Sequence, residues 1–204
     1  LSEMPQPKGW INNSIEASPT IHTIPSCAWQ LSSQNKKGKF NRSRALELGL
    51  SEDEKAELAS GKDVTKDGEI LLSKDFRGAE IPSLSVIISG DTAEMAPGLV
   101  AVEGCNLLIH EATFLDDLTQ HAQDYLHSTA SGAARTAIAS GAKHLVLTHY
   151  GARIKQTAPS LEEAMSVLEN SNIGISAAWD GDRVLVEESG EITHLYWRAD
   201  GWIR

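Results

Sequence analysis

Gly-Asp-Thr at 90–92, His-Glu-Ala-Thr at 110–113, His-Ser-Thr at 127–129 and Thr-His-Tyr at 148–150 follow one another along the chain, with His22 upstream. Each motif abuts an apolar run or opens a helix. Carboxylates and imidazoles are thereby placed at the ends of rigid elements, where α/β folds gather their ligands. Taken singly, Asp91 reads as a turn residue after Ser-Gly and His149 as a solvated histidine at a strand rim. Taken together with Glu111 and His127, they read as a site. Imidazole plus carboxylate suits zinc or manganese rather than calcium. His22, Asp91 and His149 supply two imidazoles and one acid; the acid can bridge two divalent ions while each imidazole serves one. Such a pair activates a water and clamps the phosphoryl oxygens of a diester. His127, followed by Ser-Thr at a helix start, reads as an acid that protonates a leaving oxygen. A carboxylate such as Glu111 would hold its tautomer and favour its cationic form.

The elements that must position these groups are clearest in the second half. Leu84–Ile88, Asn106–Ile109, His144–Thr148 and Ile173–Ala178 are short apolar runs of the buried-strand type. Residues 129–140 read as a helix with small residues on its packing face, capped by Ser128 or Thr129 and stopped at Gly141. Ser160–Leu168 reads as an amphipathic helix capped by Ser160. Arg183–Glu187 and Ile192–Trp197 form a hairpin around Ser189-Gly190. In the first half, residues 1–20 read as irregular or short-strand structure, and Ile21–Leu31 reads as a strand that carries His22. Residues 33–44 form a polar loop. Helical patterns at 43–50 and 51–59 end at Gly61, and Asp67-Gly68 marks a turn. Alternating strands and helices indicate an α/β layered domain.

The 204 residues are 41% apolar and 23% charged, an ordinary globular composition. No apolar run approaches the roughly 18–20 residues that span a bilayer, and no signal-peptide pattern opens the chain, so the expectation is a cytoplasmic protein with no membrane partner. Cys27 and Cys105 form no Cys-x-x-Cys pair and read as buried free thiols. A net charge of −10 argues against general nucleic-acid binding. The charge is uneven, however: Lys36, Lys37, Lys39, Arg42 and Arg44 crowd into Lys-Lys-Gly-Lys-Phe-Asn-Arg-Ser-Arg with no acid among them. Such a run is either a solvated surface loop or a focused phosphate contact.

His-Thr-Ile-Pro-Ser (22–26), Ser-Gly-Asp-Thr (89–92), Leu-Ile-His-Glu-Ala-Thr-Phe (108–114), His-Ser-Thr-Ala (127–130) and Leu-Thr-His-Tyr-Gly-Ala-Arg (147–153) resemble ribonuclease Z, the tRNA 3′-processing endonuclease of the metallo-β-lactamase superfamily. The resemblance runs from about residue 20 to about residue 181. It implies an αβ/βα sandwich, of which this chain covers mainly the C-terminal half. Residues 1–204 would form one incomplete domain, with 33–75 as the family's exosite arm. By the same resemblance, His22 ligates one zinc, Asp91 bridges two and His149 ligates the other, with manganese as an alternative metal. Glu111 and His127 form the proton-donating pair, Arg153 contacts precursor tRNA, and the basic residues 36–44 grip RNA phosphates. The family cuts after the discriminator nucleotide, leaving a 3′-hydroxyl on the tRNA, and a homodimer is expected.

The chain departs from the family pattern in several places. The arm lacks a Gly-Pro element, Ala28-Trp29 replaces Gly-Tyr, and Gly151 stands where Ser is usual. The family's His-x-His-x-Asp-His, which supplies four ligands, is absent from the sequence. Together with the start at Leu1, the expectation is the back part of a longer enzyme. The rival readings are a hydrolase of small phosphodiesters or esters, and a non-catalytic RNA-binding or assembly fragment.

Overall fold

A computed structural model describes residues 5–102 and 104–204. It resolves into two compact units, one running up to Ser33 and resuming at Leu84, the other Gln34–Ser83. The first unit is built on a six-stranded sheet of β1 (Asn13–Pro19), β2 (Cys27–Ser33), β5 (Ser85–Ile88), β6 (Leu107–Glu111), β7 (His144–Thr148) and β8 (Gly174–Ala177), in that spatial order. β1, β2 and β5 pair antiparallel; β5 to β8 run parallel. The parallel strands are the near-continuous apolar runs of the sequence; β6 and β7 are buried along most of their length, as such runs suit, whereas Ile88 at the end of β5 is 39% exposed.

Helices α3 (Pro97–Val100), α5 (Ala130–Ala139) and α6 (Ala158–Leu168) pack with the sheet. The core joins Ile87, Leu108, Leu145 and Leu147 to Leu99, Ala164 and Leu168. Ala130, Ala133, Ala134 and Ala137 of α5 are fully buried. Their small side chains let this helix approach the sheet closely, at little cost in helix propensity. The Thr129 hydroxyl accepts from the Gly132 N–H and so caps α5. A separate three-stranded sheet closes the chain: β9 (Arg183–Val186), β10 (Ile192–Arg198) and β11 (Gly201–Ile203).

The second unit holds α1 (Arg42–Glu47), α2 (Glu52–Ser60) and the hairpin of β3 (Val64–Lys66) and β4 (Glu69–Leu71). Its core is Ala45, Leu50, Leu58, Val64 and Phe76. Ser51 and Glu54 form a reciprocal capping box at the start of α2, and Gly61 ends it with φ +101°. Asp67 and Gly68, both at positive φ, make the hairpin turn. Two contacts close the base of the insertion. Within the first unit, the Ser33 N–H donates to the Leu84 carbonyl and the Leu84 N–H to the Ser33 hydroxyl, at 2.8 and 2.9 Å. Within the second, Lys36 and Ile81 exchange both backbone hydrogen bonds at 2.9 Å.

Several expectations need correction. Ile21–Leu31 is not one strand: β2 starts at Cys27, and His22 lies in a loop. Pro25 has no N–H to give a ladder, and the Thr20 N–H closes that loop onto the Ser26 carbonyl. Of the irregular or short-strand structure expected over residues 1–20, residues 13–19 form the strand β1; residues 1–4 lie outside the described residues. Ser160 does not cap α6. The helix begins two residues earlier with Pro159 in its first turn, and Ser160 is buried with no partner for its hydroxyl among the described residues. Helix α4 (Thr119–Tyr125) and strand β11 were not anticipated. The two cysteines are free; Cys105 is buried and Cys27 only partly so.

Candidate metal centre and proton-donor pair

β5, β6 and β7 are neighbours in the sheet and all run the same way. Asp91, Glu111 and His149, each at or just beyond the carboxyl end of one of them, therefore line up along one sheet edge. Gly90 turns the chain after β5 with φ +61°; a Cβ there would lie 2.9 Å from the Cys27 carbonyl oxygen. His149 itself sits at φ +56°, a conformation that L residues with bulky side chains seldom adopt. The loop carrying His22 is tied to the one carrying Asp91: the Ile21 N–H donates to the Thr92 hydroxyl, the Ala93 N–H to the Ile21 carbonyl, and the Ser26 hydroxyl to the Asp91 carbonyl.

His127 follows α4, whose last turn ends at Leu126 in the left-handed region, φ +55°. That turn aims the Leu126 carbonyl at His22 Nδ1, 3.1 Å away. The His22 and His127 rings meet edge-on with centroids 4.7 Å apart, and the His127 and His149 rings stack at 5.6 Å. The structure thus brings His22, Asp91, Glu111, His127 and His149 together.

Glu111 is 1% exposed and fully engaged. Its Oε1 accepts from the Thr92 N–H at 3.0 Å and from His127 Nδ1 at 2.6 Å; its Oε2 accepts from the Thr113 N–H at 3.1 Å and the Thr113 hydroxyl at 2.6 Å. Having given its only proton to Glu111, the Thr113 hydroxyl must accept from His149 Nδ1 at 2.9 Å. The sequence reading missed Thr113 and Thr92, although both stand inside the recognised motifs. The motif's His110 takes no part in the cluster. His110 is fully buried, its Nδ1 bonds to the Glu111 carbonyl, and burial pushes its pKa down, so it stays neutral beneath the site.

Each of the three site histidines is therefore held through Nδ1, by a carbonyl, a carboxylate or a hydroxyl, which leaves Nε2 for a ligand. This is how metal-binding histidines are usually oriented. His149 Nε2 faces Asp91 Oδ1 at 3.5 Å. With Nδ1 carrying the proton, both facing atoms are acceptors, an arrangement that calls for a cation between them. Among the described residues the Asp91 carboxylate has no other side-chain or backbone donor. His22, Asp91 and His127 form one group with ligand atoms within 4.8 Å of one another, and Glu111, His127 and His149 form another. The donor set fits a divalent cation. It falls short of a complete pair of four-coordinate sites, for which each zinc would need further ligands.

Arg153 stands on the loop after β7, exposed, in the lining of a cleft of about 640 Å³. Gly151 beside it donates to the Thr113 carbonyl at 3.0 Å, and a Cβ at this position would lie 2.5 Å from that oxygen. The loop as folded here thus requires the glycine. Lys36, Lys37, Lys39, Arg42 and Arg44 lie exposed in the second unit. There Lys37 donates to the Ser60 carbonyl, Arg44 lies over the Phe76 ring and Arg42 pairs with Glu52 at 4.0 Å.

No protein-family model matches the chain. Among curated proteins, "Ribonuclease Z" of Methanosarcina mazei is 34% identical over 161 residues, covering 78% of this chain and 53% of that protein. "Ribonuclease Z" of Ignicoccus hospitalis is 36% identical over 161 residues, with the same coverage of 78% and 53%. The chain spans about half the length of the curated relatives it matches. Among solved structures, a long-form RNase Z from yeast superposes with a TM-score of 0.51 at 19% identity, over 82% of this chain and 17% of that one. The fold is α/β, and at that identity the likeness to the yeast protein is one of fold.

Proposed function

We propose that this chain, a relative of ribonuclease Z over about half the length of those proteins, is the part of a tRNA 3′-processing endoribonuclease that carries the proton donor and one imidazole for each of two zinc ions. The observation behind this reading is the 2.6 Å contact between His127 and the buried Glu111, set among His22, Asp91 and His149. When bound, the ions supply an activated water and neutralise charge on the phosphoryl oxygens. His22 and His149 would each hold one ion, and Asp91 both.

His127 donates a proton to the leaving 3′ oxygen of the tRNA body. Glu111 keeps that proton on the correct ring by accepting from Nδ1 and stabilises the imidazolium. Arg153 contacts the precursor RNA. The 33–75 segment acts as an arm in which Lys36, Lys37, Lys39, Arg42 and Arg44 bind phosphates, setting affinity rather than sequence preference. The assembled enzyme is a homodimer in the cytoplasm, and manganese can replace zinc. No helix among the described residues is long and apolar enough to cross a membrane.

The test supplies precursor tRNA and zinc to the chain, alone and joined to a segment bearing His-x-His-x-Asp-His. The expected result is trailer removal only in the joined protein, lost in His127→Ala while zinc stays bound. Zinc loss in that variant would make His127 a ligand, and cleavage of a model diester but not of precursor tRNA would replace the substrate. For the chain by itself, the donor count favours RNA binding without turnover.

A further inference from the structure

The cleft beside Arg153 is not part of the metal centre, yet it begins at Thr113, the residue that links Glu111 and His149. Phe114 forms the shared wall: its ring meets His127 edge-on at 6.1 Å and lies 6.4 Å from His121. His121 and Tyr125, one turn apart on α4, lie nearly parallel at 6.4 Å. Tyr125 is 58% exposed, so much of its ring is open to solvent. The Gly151–Ile154 segment adds the guanidinium of Arg153. A volume of about 640 Å³ falls within the about 300–1,000 Å³ of small-ligand pockets. Planar rings beside one cation suit a nucleotide: a base to stack and a phosphate to pair.

We infer that this cleft is a base-stacking subsite for the last nucleotide of the tRNA body, with Tyr125 and His121 as the platform and Arg153 on its phosphate. The assignment rests on the proposed reaction. The leaving 3′ oxygen belongs to the nucleotide on the 5′ side of the cut, and that oxygen must reach His127. The base of the same nucleotide therefore falls next to His127, where Phe114 opens the cleft. Stacking accepts every base, because every base has a π face. The subsite thus positions the cut without dictating the residue there, and favours purines through their larger rings.

The test measures binding of the 204-residue chain to an acceptor-stem hairpin with a 3′ trailer. The nucleotide before the cut is a purine or an abasic residue, and binding is read at several salt concentrations. Tyr125→Ala should weaken binding of the purine RNA about 5- to 140-fold, with a factor that does not change with salt. Tyr125→Phe should restore binding, and abasic RNA should bind both proteins equally. Arg153→Ala should instead lose its effect as salt rises. An unchanged affinity of Tyr125→Ala for purine RNA, or an equal loss on abasic RNA, overturns the subsite and leaves the proposed function standing. Failure of the unmodified chain to bind any of these RNAs overturns the subsite, whereas failure of the joined protein to remove the trailer overturns the proposed function.

Discussion

Replacing Glu111 by Gln changes no shape, yet it should be among the costlier single substitutions in this chain. A carboxylate only accepts, and both oxygens of Glu111 do so twice, all four donors being buried or nearly so. An amide must put its NH2 where one oxygen was. On one side it meets the Thr92 N–H, on the other the Thr113 N–H, and neither backbone donor can turn away. The hydroxyl of Thr113 can rotate and His127 can change tautomer, so one orphaned amide is the minimum penalty, about 1–3 kcal/mol. The remaining bonds also lose their charge assistance. The sum is about 2–5 kcal/mol, read as a lower midpoint at unchanged slope in urea titration. Glu94→Gln, at the exposed pair with Arg135, should stay within about 0.5 kcal/mol. A Glu111→Gln loss below about 1 kcal/mol would refute the reasoning, because it would mean the carboxyl already carries a proton and is not an acceptor on both oxygens.

Gly151→Ala drives a Cβ against the Thr113 carbonyl and should cost about 1–3 kcal/mol, seen as a lower thermal midpoint; an unchanged midpoint would mean the loop is not held there. Cys105, whose thiol burial pushes up to about 11, should resist DTNB at pH 8 while Cys27 reacts, and should be released on unfolding. Asp182 offers a pH test. Burial alone would raise its carboxyl, but amide hydrogen bonds from Trp197 and Trp179 and the contact with His194 outweigh it and hold the pKa low. A lowered folded pKa gives stability that is present above the ordinary aspartate value of about 3.9 and lost as pH falls below it. Asp182→Asn should flatten that acid limb of the stability profile; an unaltered limb would assign the acid sensitivity elsewhere.

The parts of the fold with a single strong signal were readable in the sequence. β5, β6 and β7 are short apolar runs, and the motifs after them mark where the chain leaves the core. The end of α2 at Gly61 and the Asp67-Gly68 turn were legible for the same reason: their chemistry is local. His22 was placed on a strand because its flanking pattern resembles one, and what decides otherwise is a set of hydrogen bonds to residues some seventy positions away. Thr113 was passed over because a threonine two residues after a glutamate says nothing until the fold brings His149 beside it. α4 is polar and lacks a side-chain cap, so nothing in its composition announces the aromatic platform it carries.

The doubly closed neck at Ser33–Leu84 and Lys36–Ile81 makes the Gln34–Ser83 unit an interchangeable cartridge. The sheet needs only that its two strand ends remain side by side, and their own hydrogen bonds ensure this whatever lies beyond. Lengthening the inserted chain adds only a logarithmic closure entropy, and the unit brings a core of its own. Segments of very different size and charge could therefore be exchanged at this position without disturbing the edge where Asp91, Glu111 and His149 stand. The sequence of the inserted unit and that of the sheet edge would then be free to diverge at separate rates.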